Sequence, residues 1–279
     1  MKTLVSCFLI FTLISVGFAY NSDAYSFKTN NGWKEYKSDH FIIYYNPSLP
    51  TDYIKEFTRK CELYYNLITN RLGFNRFDFW LWDNRARIFL HKTREEYLEY
   101  TERPEWSGGS VHIKERTINT FYFEKNFFDV MLPHELAHII LREFIGMDKR
   151  TPLWFDEGVA SANEKKGYAQ YLLITKGFID KGVFYAVPYI DNMSTVEVKL
   201  PLLFYATAAS LVIFLLEKHP KRYFVEFCRK LRDGTSFYEA MGKVYDIENA
   251  EELNEKFLEF MNGRSYEEII EKRSHDVKW

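Results

Sequence analysis

The stretch His134-Glu135-Leu136-Ala137-His138 sets two imidazoles four residues apart. On an α-helix that spacing leaves them about 40° apart on one face and one turn along the axis, where both can ligate a single zinc ion. Glu135 sits beside the first imidazole and can reach a water at such a site without ligating the metal, as a general base must. Catalytic zinc takes three protein ligands and keeps one position open, so a third ligand has to come from elsewhere in the chain. Glu157, in Trp154-Phe155-Asp156-Glu157-Gly158-Val159-Ala160, is the candidate. Eighteen residues separate it from His138, enough to finish one helix, turn at Gly146 and begin an antiparallel helix after Pro152. Gly158 then allows a close approach between helices.

The elements that would position these residues follow from hydrophobic period and turn signals. Phe41 to Tyr45 and Ala86 to His91 are short β-branched and aromatic runs that predict strands, and Thr117 to Phe123 predicts a third. Ile54, Phe57, Cys61, Tyr64 and Ile68 recur at spacings of three and four, which predicts a helix that stops at Gly73. Thr93 with Glu96 reads as a capping box that starts a helix at Arg94, and Trp106 to Ser110 reads as a loop. Beyond Gly146 only helices are expected: Phe155 to Lys165, Leu202 to Lys218, Lys221 to Arg232, Phe237 to Tyr245 and Ala250 to Met261. Ser236 with Glu239 and Asn249 with Glu252 mark two of their starts. The expected fold is α+β. It comprises a mixed β-sheet with helices in an N-terminal lobe, the zinc-binding helix at the junction, and an all-helical C-terminal lobe. The boundaries are 1–19 for a signal peptide, 20–148 for the α/β lobe ending in the zinc-binding helix, and 149–279 for the helical lobe carrying the third ligand.

The His134-Glu135-Leu136-Ala137-His138 motif, the eighteen-residue gap and Trp154-x-x-Glu157-Gly158-x-Ala160 together resemble the gluzincin metallopeptidases, and within them the small peptidase MA-like domains. The resemblance runs loosely from Phe41 to the helix at Leu202. It implies zinc-dependent hydrolysis of peptide bonds, with His134, His138 and Glu157 as metal ligands and Glu135 as general base. Tyr205-Ala206-Thr207-Ala208-Ala209 resembles the stretch of gluzincin aminopeptidases whose tyrosine hydroxyl stabilises the tetrahedral intermediate. Thr207 and Ala208 stand where that pattern has Lys and Gly, so a core tyrosine on an apolar helix is the other reading of Tyr205. The glutamate-bearing stretch that binds a substrate's free amine in those aminopeptidases has no counterpart at Ser107 to Ile113. That departure favours an endopeptidase, with a gluzincin-type aminopeptidase as the alternative. By the same resemblance, Thr117 to Phe123 forms the sheet edge beside the cleft, where an extended peptide can add as a strand. Asp156 and Ser161 flank the third ligand and are candidates to hydrogen-bond the histidines, with capping or solvent contact as the plainer reading. His112 either lines the cleft or lies on the surface.

Composition narrows the classes. The chain has 279 residues, 47% hydrophobic and 27% charged, with a net charge of −2 and no basic block, which excludes an electrostatic footprint for nucleic acid. Aromatic residues make up 18%, and cores ordinarily absorb them. Lys2, the apolar run Leu4 to Phe18 and Gly17-Phe18-Ala19 read as a secretory signal, with an uncleaved N-terminal anchor as the alternative. The expectation is an exported protein, periplasmic or extracellular, acting on a peptide or protein substrate. No stable membrane span is expected after signal removal. Leu202 to Leu216 reads as a buried helix, and Cys61 and Cys228, both on apolar helical stripes, as buried thiols in preference to a disulfide. A non-catalytic envelope or binding protein on a peptidase-like scaffold is the rival from another class, and oligomeric state is not legible.

Overall fold

A computed structural model describes residues 32–75, 80–103, 105, 107–122, 127–165, 167–194 and 200–276. Residues 1–19, where a signal peptide is expected, lie outside them. The chain begins with strands β1 (Lys34–Lys37) and β2 (Phe41–Tyr45), helix α1 (Thr51–Leu72), β3 (Ala86–His91) and α2 (Arg94–Thr101). Strands β4 (Gly109–His112) and β5 (Thr117–Phe121) follow, and a π-helical turn (Phe127–Met131) leads into α3 (Leu132–Ile145). From there the described residues hold helices without strands: α4 (Leu153–Ala162), α5 (Gly167–Ile179), α6 (Val187–Ile190), α7 (Pro201–Lys218), α8 (Lys221–Arg232), α9 (Phe237–Tyr245), α10 (Ala250–Asn262) and α11 (Tyr266–Asp276). The protein is therefore α+β, with a mixed sheet in its N-terminal part and helices in its C-terminal part.

The five strands pair in the order β1-β2-β3-β5-β4. The β2–β3 and β3–β5 pairs are parallel, and the two outer pairs are antiparallel. Register aligns Ile43 with Ile88, Ile88 with Ile118, and Ile118 with Val111. Side chains alternate faces along a strand, so this row lies on one face. Its three isoleucines share one buried apolar cluster with Ile54, Phe57, Cys61 and Ile68 of α1 and with Leu136 and Ile140 of α3, and half-buried Val111 packs against it. On the other face Phe89 stacks on Tyr44, and His91 meets the rings of Trp33, Tyr97 and Tyr100.

Local signals are realised at several expected positions. The Thr93 side chain accepts a bond from the Glu96 amide and Glu96 accepts one from Lys92. Asn249 and Glu252 repeat the arrangement. A helix does begin after Ser236, but without a side-chain cap on its backbone amides. Cys61 and Cys228 are buried and free. Helix α7 is long and apolar enough to cross a membrane, yet 67% of it is buried within the fold, as a core helix would be.

Two expectations are corrected. Gly109 and Ser110, expected in a loop, belong to strand β4. Consequently β5 is interior and β4 is the sheet edge. Gly and Ser carry little β-propensity, so nothing local marks the strand. Its place comes from pairing with β5 and from the missing side chain at Gly109, where a Cβ would lie 2.4 Å from Met131 Sδ. Helix α5 and strand β1 were not anticipated at all.

Helices α4 and α7 pack closely at Gly158. A Cβ on Gly158 would lie 2.3 Å from the Ala208 carbonyl oxygen and 2.8 Å from Val212 Cγ2. Both obstacles sit on a buried helix that cannot yield cheaply. Gly158→Ala is expected to lose ~1–3 kcal/mol of stability by overpacking, read as a lower urea midpoint. Gly242→Ala, with nothing closer than 3.8 Å, should hold or slightly raise that midpoint. Equal midpoints for the two variants would refute the account of the α4–α7 contact.

His91 offers a second test. Burial holds its pKa down at about 4, whereas in an unfolded chain it would titrate near ~6.5. Between those values the unfolded state binds the proton that the folded state refuses. Stability should therefore fall as pH drops from ~6.5 towards 4, by up to ~1.4 kcal/mol per pH unit from this group. Urea unfolding at pH 7 and pH 5 should show a smaller acid loss for His91→Phe than for the parent chain.

Candidate metal centre

Helix α3 carries His134, Glu135 and His138, and all three are buried. The helix is apolar on every side, with Leu132, Leu136, Ala137, Ile139, Ile140 and Leu141 buried around the polar residues. Its three chemical groups are thus set in a low-dielectric seat. Helix α4 begins after Pro152 and brings Glu157, only 4% exposed, to the same place. His138 Nε2 lies 3.3 Å from His134 Nε2. Glu157 Oε2 stands 3.6 Å from His134 Nε2 and 3.8 Å from His138 Nε2. These three atoms, all potential donors of a lone pair, could hold a metal ion.

Electrostatics asks for a cation at that point. Burial disfavours the charged form of His134, but bonds to the carboxylates of Glu157 and Glu164 outweigh it and raise its pKa well above the histidine range. His138 goes the other way: burial lowers its pKa to about 4. Burial also works against the Glu157 carboxylate, and the two imidazoles overcome it and lower its pKa. A metal cation and a proton would compete for these same atoms. Glu135 is not among the converging atoms. Burial pushes its pKa up to about 7.

The turn from α3 to α4 is held by a buried ion pair. Arg142, one helical turn past His138, bonds Asp156, the neighbour of Glu157. Its guanidinium also donates to the Lys149 carbonyl at 2.6 Å and to Thr151 Oγ1 at 3.0 Å. Thr151 in turn donates to Asp156 at 2.6 Å. Asp156, a candidate to bond the histidines, is occupied instead in fixing the approach of the two helices. The residue that does bond a histidine is Glu164, whose Oε1 lies 3.0 Å from His134 Nδ1. Sequence reasoning missed it. No periodicity signals it, because Glu164 lies in the turn past the end of α4 at Ala162.

Tyr205 lies on α7, which packs against α4. Ala208, whose carbonyl abuts Gly158, lies three residues past Tyr205 and so on the same side of α7. Burial and the negative charges of Glu157, Glu135 and Glu164 all raise the Tyr205 hydroxyl pKa, which keeps it a neutral donor. The core reading of Tyr205 is also partly met, since its ring is half-buried against the core. On the other flank, Gly109 of β4 packs on Met131 immediately before α3. Exposed Arg103, between α2 and β4, adds a positive charge that acts on both Glu135 and His112.

Asp156→Ala should cost ~3–5 kcal/mol of stability, because Arg142 is left buried without its counter-charge. The double variant Asp156→Leu with Arg142→Met should recover much of that loss. Thermal unfolding of both chains checks the pair, and a double variant no more stable than the single one would refute it.

The helix pair carrying two imidazoles and a carboxylate, with a second carboxylate behind the first imidazole, is an arrangement that recurs in peptidase-like folds. No curated protein matches the chain. The sequence model of the Peptidase MA superfamily does match it, over residues 93–263, more than half of its length. That span runs from the capping box of α2 through the metal centre to the end of α10. By this match and the convergence of His134, His138 and Glu157, the chain belongs to the Peptidase MA superfamily.

Proposed function

We propose that this protein is an exported zinc peptidase that cleaves peptide bonds within polypeptide substrates. The observation that carries the reading is the convergence of His134 Nε2, His138 Nε2 and Glu157 Oε2 at 3.3, 3.6 and 3.8 Å. Four-coordinate zinc with bonds of ~2.0–2.2 Å places its ligands roughly 3.3–3.6 Å apart. The donor set therefore fits zinc within a few tenths of an ångström, and two imidazoles with one carboxylate leave a fourth position open. When bound, zinc supplies Lewis-acid polarisation of a carbonyl and brings the pKa of water down to about 7.

The chain's own residues supply the rest. Glu135, buried and raised to about 7, takes a proton from the attacking water and returns it to the leaving amine. Tyr205 donates its hydroxyl proton in a hydrogen bond to the oxygen that becomes negative in the transition state. Strand β4 is a sheet edge next to the start of α3, and an extended polypeptide can add to such an edge with its scissile bond towards the helix. A chain lying along an edge needs no free terminus, which supports cleavage within polypeptides. The signal-like first nineteen residues support export.

The test is digestion of a peptide library read by mass spectrometry, with and without a chelator. Cleavage should be lost with the chelator and return on adding zinc. Glu135→Gln should leave zinc bound and abolish cleavage, so an active Glu135→Gln chain would sink the assignment. Tyr205→Phe should lower turnover ~10²-fold or more; an unchanged rate would return Tyr205 to a packing role. Equal cleavage of free and N-acetylated peptides would separate an endopeptidase from an aminopeptidase. Stoichiometric zinc without any cleavage would favour a non-catalytic binding protein.

A further inference from the structure

Beyond the residues that converge on the metal position lies a second layer that the proposed chemistry does not use. Glu164 Oε1 lies in hydrogen-bond contact with His134 Nδ1 at 3.0 Å, and the Tyr171 hydroxyl of α5 donates a hydrogen bond to the other oxygen, Oε2, at 3.0 Å. Glu164 is 9% exposed, so water has little access to replace either bond. A carboxylate with both oxygens held by donors on opposite sides cannot rotate without breaking one of them. A carboxylate with one oxygen free can swing about its last torsion.

The turn between α4 and α5 brings the phenol to Glu164. A Cβ at Gly167 would lie 2.1 Å from the Ser161 carbonyl and 3.3 Å from Glu164 Cβ, so only glycine lets α5 start this close. Tyr171 is one turn further along α5. A Thr175–Ser210 hydrogen bond of 3.0 Å ties the next turn of α5 to α7. Tyr171 is thus set on a helix braced at both ends of the relevant segment, which is what a group that orients another must be.

We propose that Tyr171 is a positioning residue of the metal centre: its phenol pins Glu164, and Glu164 fixes the tautomer and ring orientation of His134, so that Tyr171 sets metal affinity without touching the metal. The inference rests on the reading of His134 as a zinc ligand. Its chemistry is the requirement that Nδ1 carry the proton so that the Nε2 lone pair faces His138 and Glu157. Burial and the charge of Glu164 keep the phenol protonated, so it remains a donor wherever the centre can bind metal.

The experiment is zinc affinity by competition with a chromogenic chelator on the full chain, together with the visible absorption spectrum of the cobalt-loaded protein. Glu164→Gln should weaken zinc binding by ~10- to 100-fold, as loss of a partner behind a ligand does. Tyr171→Phe should weaken it by about tenfold and shift the cobalt bands, because the ring of His134 is less well fixed. In Glu164→Gln with Tyr171→Phe, zinc should bind no more weakly than in Glu164→Gln alone. Thr69→Val, which removes a buried hydrogen bond within α1 and leaves α5 and Glu164 alone, should keep zinc affinity and the cobalt spectrum as in the parent chain.

Parent-like zinc affinity in Tyr171→Phe would overturn the inference. So would a Tyr171→Phe effect that adds in full to that of Glu164→Gln, or one matched by Thr69→Val. A parent chain that takes up no zinc would instead overturn the functional reading itself, which keeps the two failures distinct.

Discussion

Burying a carboxylate between two imidazoles removes Glu157 from water at a cost of several kcal/mol unless opposite charge comes with it. The helical half of the protein is organised around this constraint. Glu157 is nearly inaccessible, yet its pKa is lowered, because His134 and His138 face it from α3. The same proximity raises the pKa of His134. Three atoms that can each offer a lone pair, 3.3 to 3.8 Å apart, are stabilised together by positive charge among them, be it a proton or a metal cation. In that sense the candidate metal centre is an electrostatic consequence of how the two helices pack.

The constraint is met by stiffness. The Arg142–Asp156 pair and its bonds to Lys149 and Thr151 set the turn between α3 and α4. The bare Cα of Gly158 lets α7 approach until backbone touches backbone. Such contacts give a centre with little freedom to relax, since packed interiors respond to displacement as solids do. Outside them, Glu164 and Tyr171 continue the same order, each holding the group in front of it. A histidine oriented this way spends less of its binding free energy on ordering itself around a metal.

The aromatic richness of the chain is part of this stiffness. Phe74 stacks on Phe144 near the end of α3 at a centroid distance of 4.0 Å. Phe155, next to the site, is surrounded by Phe224, Phe227 and Phe237 from α8 and α9. Helices α8 and α9, which carry no group of the metal centre, therefore brace α4 from behind. Apolar contact and edge-to-face geometry both contribute there. The composition did not reveal a binding groove because these rings are spent on support.

The centre was legible in the sequence wherever its geometry is local. His134, Glu135 and His138 share a helix, so a spacing of four residues already puts them together, and the Trp154-to-Ala160 stretch marked Glu157. Strands β2 and β3 were legible too, since an alternating or continuous apolar run announces itself whatever it pairs with. Tertiary structure decided the rest. Which strand forms the edge depends on pairing partners far apart in the chain, and Gly109-Ser110 carries no propensity that would declare a strand. Glu164 and Tyr171 became parts of one unit only through the turn at Gly167, where the absence of a side chain permits a contact that no periodicity encodes. Local spacing determined which atoms could bind a metal, whereas long-range packing determined how those atoms are held, because hydrogen bonds across elements exist only once the backbone has closed around them.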